Sequence, residues 1–258
     1  MKITEIERMP QGDYTGDDFD LAHTQRRSSK AQLLRSKYVP GHKGFFWTIA
    51  DQFGTKNIVI INPEHSYSKE YNDRTDKYEA EVGPAIIAQL GLDHKLNIPG
   101  INGYQIGAVA VRKEYRGQGF GTALYLLAMQ QLKLWLMAGD SQTPGGRRNW
   151  ITLNTIPGVE VDGLLMVPKE ELDNPYRWGS DPDAVRRFDR IVNSLMEIGF
   201  NHIGNNHDYD FFLFPIKQGK GELMTAVKKA KFRIYHGWNG SSNNWDIDVS
   251  LVARWTGK

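Results

Sequence analysis

The chain has 258 residues, 40% hydrophobic and 24% charged, with a formal net charge of +2 and no cysteine. These values suit a folded globular protein rather than a disordered chain or a fibre, and they exclude disulfide scaffolds, thiolate metal sites and cysteine nucleophiles. No apolar run approaches the ~18 residues of a membrane helix, and residues 1–20 hold no secretory apolar core, so a soluble cytoplasmic protein with no membrane partner is expected.

Residues 1–36 are polar and basic, with Phe19, Leu21, Ala22, Leu33 and Leu34 spaced for one or two weak helices. Strands follow at 45–50, aromatic and β-branched, and at 57–61, a short apolar run ended by Asn62-Pro63. Residues 65–81 are polar and read as a loop or exposed helix. Residues 84–92 suit a helix or a strand, and a strand is favoured because the chain soon turns at Pro99-Gly100-Ile101-Asn102-Gly103. Asn-Gly tolerates positive φ and signals a hairpin; the partner strand is 104–112. Residues 122–138, with Leu124, Leu127, Leu132 and Leu136, read as a buried helix, 145–148 as a loop, 150–153 as a strand and 155–181 as irregular. Asp181-Pro182 starts a helix that Gly199 closes. Two strands are expected at 200–203 and 209–216. The last segment reads as a helix near 222–231 and strands at 232–236 and 247–255. From Lys217 onward it carries eight basic residues against three acidic ones, interleaved with Tyr235, Trp238, Trp245 and Trp255. A small aromatic hairpin packed on the core is the preferred reading. Nucleic-acid binding by phosphate contact and base stacking is the alternative.

Chemistry concentrates at Arg116-Gly117-Gln118-Gly119-Phe120-Gly121, between a strand and a helix. Closely spaced glycines let backbone N–H groups approach a ligand without intervening side chains. The following helix start adds unpaired N–H groups, and Arg116 adds charged, forked donors. These parts suit a phosphate or pyrophosphate cradle; the glycines alone suit equally a tight connection with no ligand. The loop is not a P-loop, because Gly121-Thr122-Ala123 lacks the lysine. A dinucleotide fingerprint needs a parallel βαβ unit, and the upstream element here is a hairpin.

The longer run Val109-Ala110-Val111-Arg112-Lys113-Glu114-Tyr115-Arg116-Gly117-Gln118-Gly119-Phe120-Gly121-Thr122-Ala123-Leu124 resembles the acyl-CoA signature of the GNAT superfamily of N-acetyltransferases. A strand ending in valine, polar residues, an aromatic and then R-x-x-G-x-G stand in the family's order. A second similarity is Leu195-Met196-Glu197-Ile198-Gly199-Phe200, a helix end followed by two strands. The resemblance implies an α/β (α+β) fold whose mixed, mostly antiparallel sheet is flanked by helices. It is carried by residues 108–124 and 151–216, is architectural only upstream of Ile58, and is absent after Lys217; the implied domain is 1–217, and 218–258 is read as a helix-hairpin extension.

The implied activity is transfer of an acetyl group from acetyl-CoA to an amine acceptor, small molecule or protein, by direct attack in a ternary complex. The resemblance places the CoA pyrophosphate on the N–H groups of Gln118, Gly119, Phe120, Gly121 and Thr122, with Arg116 and Gly117 in the same loop. The pantetheine arm pairs with the strand edge at Val109, Ala110 and Val111, where the fourth and fifth family strands splay, and Asn154 is a candidate contact. The family's acidic tyrosine, four residues before the Gly-Phe, is replaced by Leu195, and a frequent asparagine falls at Phe188. The acid is therefore sought at Tyr209 and the base at Asp93 or His94, with Glu160 and Asp162 as attractors for a cationic amine. His202 and His207 lack metal-ligand spacing, and no metal site is expected. Two rivals stand beside this reading: an acyl-CoA-binding protein without catalysis, motivated by Leu195, and a nucleic-acid-associated factor using the basic tail.

Overall fold

The computed structural model describes residues 36–52, 55–66, 70–72, 77–79, 84–139, 144–168, 192–193, 195–216 and 248–257. In chain order the strands are β1 (Lys37–Tyr38), β2 (Phe46–Gln52), β3 (Thr55–Ser66), β4 (Glu70–Asn72), β5 (Lys77–Glu79), β6 (Pro84–Lys95), β7 (Gly103–Val111), β8 (Trp135–Met137), β9 (Val159–Pro168), β10 (Asn201–Asn205), β11 (Tyr209–Pro215) and β12 (Asp248–Trp255). Ten of them form one sheet in the order β1-β2-β3-β6-β7-β8-β12-β9-β11-β10, while β4 and β5 pair separately. Every described pairing is antiparallel except β7 with β8.

Helix α1 (Phe120–Leu126) runs into one π turn, Leu127–Gln131, and α2 is Pro144–Leu153. Both helices lie on the same face. Leu124, Ala128, Trp150 and Leu153 share one buried cluster with Ile58, Ile60, Leu90, Ile106 and Leu136 of the strands. The Tyr125 and Trp150 rings meet edge to face at 5.8 Å, holding the helices together. Ile58, Val59, Ile60 and Ile61 are all fully buried, so β3 is covered on both sides and needs no polar alternation. On the opposite face Leu96 and Ile98, from the β6–β7 connection, pack on Met137, Leu164, Phe211, Leu213 and Val252. Among the described residues no helix is long and apolar enough to cross a membrane.

The strands expected at 45–50, 57–61 and 84–92 and the hairpin through Asn102-Gly103 are present. Other expectations are corrected. The helix expected over 122–138 ends its helical hydrogen bonding at Gln131; Lys133 takes a φ of 55°, and Trp135–Met137 forms a strand. Residues 150–153 are not a strand but the end of α2, where Trp150 and Leu153 sit at the i, i+3 spacing of one helix face. Within 155–181, β9 is a ten-residue strand with Leu164, Leu165 and Val167 fully buried between β12 and β11. Within 65–81, β4 and β5 pair as a small hairpin.

The final strand is part of the main sheet. β12 lies between β8 and β9, pairing with β9 from Asp248 to Trp255 and with β8 at Val252 and Ala253. The extension expected at 218–258 thus supplies a central strand, and its expected helix and first strand, 222–236, lie outside the described residues. So do the expected N-terminal helices and the start of the helix at Asp181. The end of that helix is described: Phe200 N–H donates to Leu195 C=O and Gly199 N–H to Met196 C=O, with Gly199 at a φ of 99°. This is a Schellman stop, which explains the glycine.

Candidate functional site

The glycine loop leaves the end of β7 through a short 3₁₀ turn, Lys113–Tyr115, and enters α1 at Phe120. Gly117 and Gly119 take φ values of 77° and 85°, the left-handed region where a side chain is strained. Two aromatic anchors fix the turn. Phe120 is buried against Phe45 at 4.8 Å and Tyr115 at 6.0 Å. The Tyr115 hydroxyl accepts from Asn62 Nδ2 of β3 at 2.9 Å. Arg116 Nε donates to the Val111 carbonyl at 2.9 Å, tying the loop to the strand end, and Gln118 Nε2 donates to the Glu114 carbonyl at 2.9 Å. Gln118 N–H closes the turn at Arg116-Gly117, and among the described residues no backbone acceptor is found for the N–H groups of Gly117 and of Gly119 through Thr122; the first helical bond is Ala123 N–H to Gly119 C=O. Unsatisfied donors thus cluster around two left-handed glycines, the arrangement of an anion nest.

The edge of β7 follows from parity. Arg112 N–H donates to Ile87 C=O of β6, so residues 112, 110 and 108 turn their polar groups toward β6, and Val109 and Val111 turn theirs away. On that far side β8 pairs only with Gly103, Tyr104 and Gln105. Beyond it the chain leaves at Gly139, whose Cα is pressed against the Ile106 carbonyl so closely that a methyl group there would overlap the oxygen. Among the described residues a wedge results: closed at Ile106 and Gly139, open along Gly107 to Val111, and leading to the glycine loop. Its length from Gly107 to Val111 is about 14 Å at ~3.4 Å per residue.

At the closed end both strands bulge. Gly91 pairs with Ala108 and Leu92 with Ile106, which leaves Gly107 as an extra residue on β7. The Asp93 carboxylate of β6 sits directly over the Gly107 Cα and occupies the space of the missing side chain. Asp93 and His94 are exposed, and Asp93 has no described hydrogen-bond or ionic partner.

This geometry coincides with the comparison against known families. Residues 43–141, from the β1–β2 turn to just past β8, match the acetyltransferase (GNAT) family. This segment is similar to a GNAT acetyltransferase domain, which supports membership of that superfamily. No curated protein and no solved structure is matched. The GNAT match takes in the loop, the wedge and Asp93 together. The loop fits a pyrophosphate-bearing acyl-CoA on the structure's own terms: an unsatisfied donor nest at one end, and a strand edge with free polar groups leading from it.

Around this GNAT-like core several expected site residues are relocated. Asn154 follows α2 instead of a strand. It lines a cavity of about 320 Å³ with Glu160, Asp162, Asn201 and Arg254, toward the sheet end where β7 begins, away from the glycine loop. The strand beside β7 is Trp135–Met137, and Asn154 does not follow it. Glu160 and Asp162 are not loop residues free for an amine. Arg254 forks between them at 2.6 and 3.0 Å and stacks over the Trp135 ring at 4.5 Å. Burial raises the pKa of Asp162, and the Arg254 guanidinium opposes that rise.

Tyr209 opens β11, four strands from β7, or about 19 Å along the sheet at ~4.8 Å per strand. Its neighbours are Phe211 and the Asn206 turn, with no contact to the wedge among those described. Leu195 is buried. Metal ligation has no candidate cluster among the described residues. His202 instead bonds the fully buried Asp210 carboxylate at 2.9 Å within the β10–β11 hairpin.

Three features escaped the sequence reading. Gly107, interior to a strand, carried the usual signal of a bulge or close approach. Asn149 of α2 packs on Gly121 and bonds the buried Tyr125 hydroxyl, whose pKa is driven up by burial. His42, in the β1–β2 turn, stacks on Phe120 at 4.5 Å. Neither of these last two had a local pattern to reveal it.

Proposed function

We propose that the protein transfers an acetyl group from acetyl-CoA to an amine acceptor, with both bound at once. The observation that carries this reading is the wedge between β7 and β8, which begins at an unsatisfied donor nest and closes beside a carboxylate. When bound, the CoA thioester supplies an activated acyl carbon. The chain's residues supply the rest. The N–H groups of Gly117 and of Gly119 to Thr122 hold the pyrophosphate, and two left-handed glycines keep side chains out of its way. The outward polar groups of Val109 and the Val111 N–H align an extended arm as a further strand would. The Val111 carbonyl is committed to Arg116, so Arg116 acts first as the brace of the loop.

Asp93 is the proposed base. It stands at the closed end of the wedge, over Gly107, where the reactive end of an arm anchored at the loop arrives. A carboxylate there accepts the proton of an attacking amine directly or through one water. The leaving thiolate departs without a dedicated acid: Leu195 is core and Tyr209 lies outside the wedge. With a thiol pKa near ~8.5 this slows the reaction without forbidding it. The buried Leu195 also favours a second reading, an acyl-CoA-binding protein with weak or no turnover.

Thiol release from acetyl-CoA across a panel of primary amines separates the two. Amine-dependent release that falls by about 10²–10⁴ in Asp93→Asn, with CoA affinity unchanged, supports the enzyme reading. Release that is unaltered in Asp93→Asn removes Asp93 as the base. CoA binding without release for any amine supports the binding protein.

A further inference from the structure

His42 is the residue of the β1–β2 turn that meets the glycine loop. Its backbone closes that turn, with N–H donating to Val39 C=O at 3.1 Å and C=O accepting from Phe45 N–H at 3.3 Å. Its imidazole lies tilted on Phe120, and its Cε1 and Nε2 stand 3.8 and 4.0 Å from where a side chain at Gly119 would begin. The ring is half-buried, and among the described residues neither ring nitrogen has a hydrogen-bond or ionic partner. A half-buried imidazole with no partner forfeits hydrogen bonds it had in water. Here it does so beside backbone donors at Gly117 and at Gly119 to Thr122 that also lack backbone acceptors among the described residues. A single anion at the loop would satisfy both.

We propose that His42 is a ligand of the CoA pyrophosphate and that it takes up a proton as the cofactor binds. This rests on the acyl-CoA reading of the loop and adds a residue to it. The charged and titratable groups on the surrounding elements are Lys43 on the same turn, Lys113, Glu114 and Tyr115 on the 3₁₀ turn, and Arg116. Glu114 is the single acidic group among them, so nothing here competes strongly with an incoming anion. Without cofactor, burial holds the His42 pKa below its ordinary value, and the imidazole is mainly neutral at physiological pH. An anion against the ring favours the charged form, which then donates a charge-assisted hydrogen bond. The coupling is reciprocal: if CoA raises the His42 pKa, lower pH strengthens CoA binding.

The test is calorimetric titration of the full chain with CoA in buffers of different ionisation enthalpy, which counts protons exchanged. The 3′-phosphate is a phosphate monoester that itself titrates near ~6, so the titration is repeated with 3′-dephospho-CoA, which keeps only the pyrophosphate. Wild type is expected to take up a substantial fraction of a proton with both ligands. His42→Gln should lose that uptake and bind about tenfold more weakly at mildly acidic pH, the gap closing at alkaline pH. His42→Phe retains an aromatic ring on Phe120 and should behave like His42→Gln, which separates the proton from the packing. Variants that bind CoA with wild-type proton uptake and pH slope overturn the proposal and leave the cofactor site standing. Uptake that vanishes with 3′-dephospho-CoA also overturns it, because the proton then depends on the 3′-phosphate and not on the pyrophosphate. No CoA binding by wild type overturns both.

Discussion

Adding one methyl group at each of two glycines separates the chemistry of the wedge from its construction. At Gly107 the new Cβ falls on the Asp93 carboxylate, the far end of an exposed and flexible side chain. Gly107 is not in a left-handed conformation, so alanine suits the backbone. Asp93 has only to swing away, at a cost of a rotamer adjustment, about 0.5–1.5 kcal/mol. At Gly139 the new Cβ falls on the Ile106 carbonyl oxygen, which is backbone and cannot withdraw without parting β7 from β8. Overpacking against a fixed wall costs about 1–3 kcal/mol or more. Urea denaturation and amine-dependent thiol release should therefore give opposite profiles. Gly107→Ala loses about 1 kcal/mol of stability and keeps CoA affinity, yet turnover falls at least about 10²-fold because the base has left the wedge. Gly139→Ala loses at least about 2 kcal/mol. Wild-type turnover in Gly107→Ala, or wild-type stability in Gly139→Ala, would refute the reasoning.

Arg254→Met leaves the buried Asp162 carboxylate without its guanidinium and should cost about 2–3 kcal/mol at mildly alkaline pH. Burial then raises the Asp162 pKa unopposed, so protonation restores stability as pH falls and the deficit against wild type narrows in acid; a pH-independent deficit in urea melts would contradict this. Deleting 248–258 removes the strand between β8 and β9, and circular dichroism should show no cooperative unfolding; a cooperatively folded truncate would show that β12 is dispensable. Tyr209→Phe should leave the pH–rate profile of thiol release unchanged, and loss of a limb from that profile would restore Tyr209 as the acid.

Much of the candidate site was legible because it is local. The glycine loop, the valine-ended strand and the hairpin before it occupy contiguous residues, and each has a pattern of its own. Asp93 was legible only as a residue near a strand end; what places it over Gly107 is a bulge shared by two strands. The misread elements failed for tertiary reasons. Residues 133–137 carried a leucine spacing that a helix would also show, and a single left-handed residue, Lys133, converts them to a strand. Trp150 to Leu153 look β-prone, but their burial against α1 makes a helix of them. β9 hides among Pro157, Gly158, Gly163 and Pro168, which read as breakers, and its burial depends on a partner more than eighty residues away. The position of β12 inside the sheet had no local sign at all. His42 came to the loop through the docking of a turn.

The central claim is that an acyl-CoA lies on the loop and along the β7 edge. Amide hydrogen exchange of the full chain, with and without CoA, tests it most directly, because most of the donors in question are backbone N–H groups with no acceptor among the described residues. The account predicts slowed exchange concentrated at Gly117 to Thr122 and at Val109 and Val111, with little change in β10 and β11. Protection centred elsewhere, or no protection at saturating CoA, would contradict it.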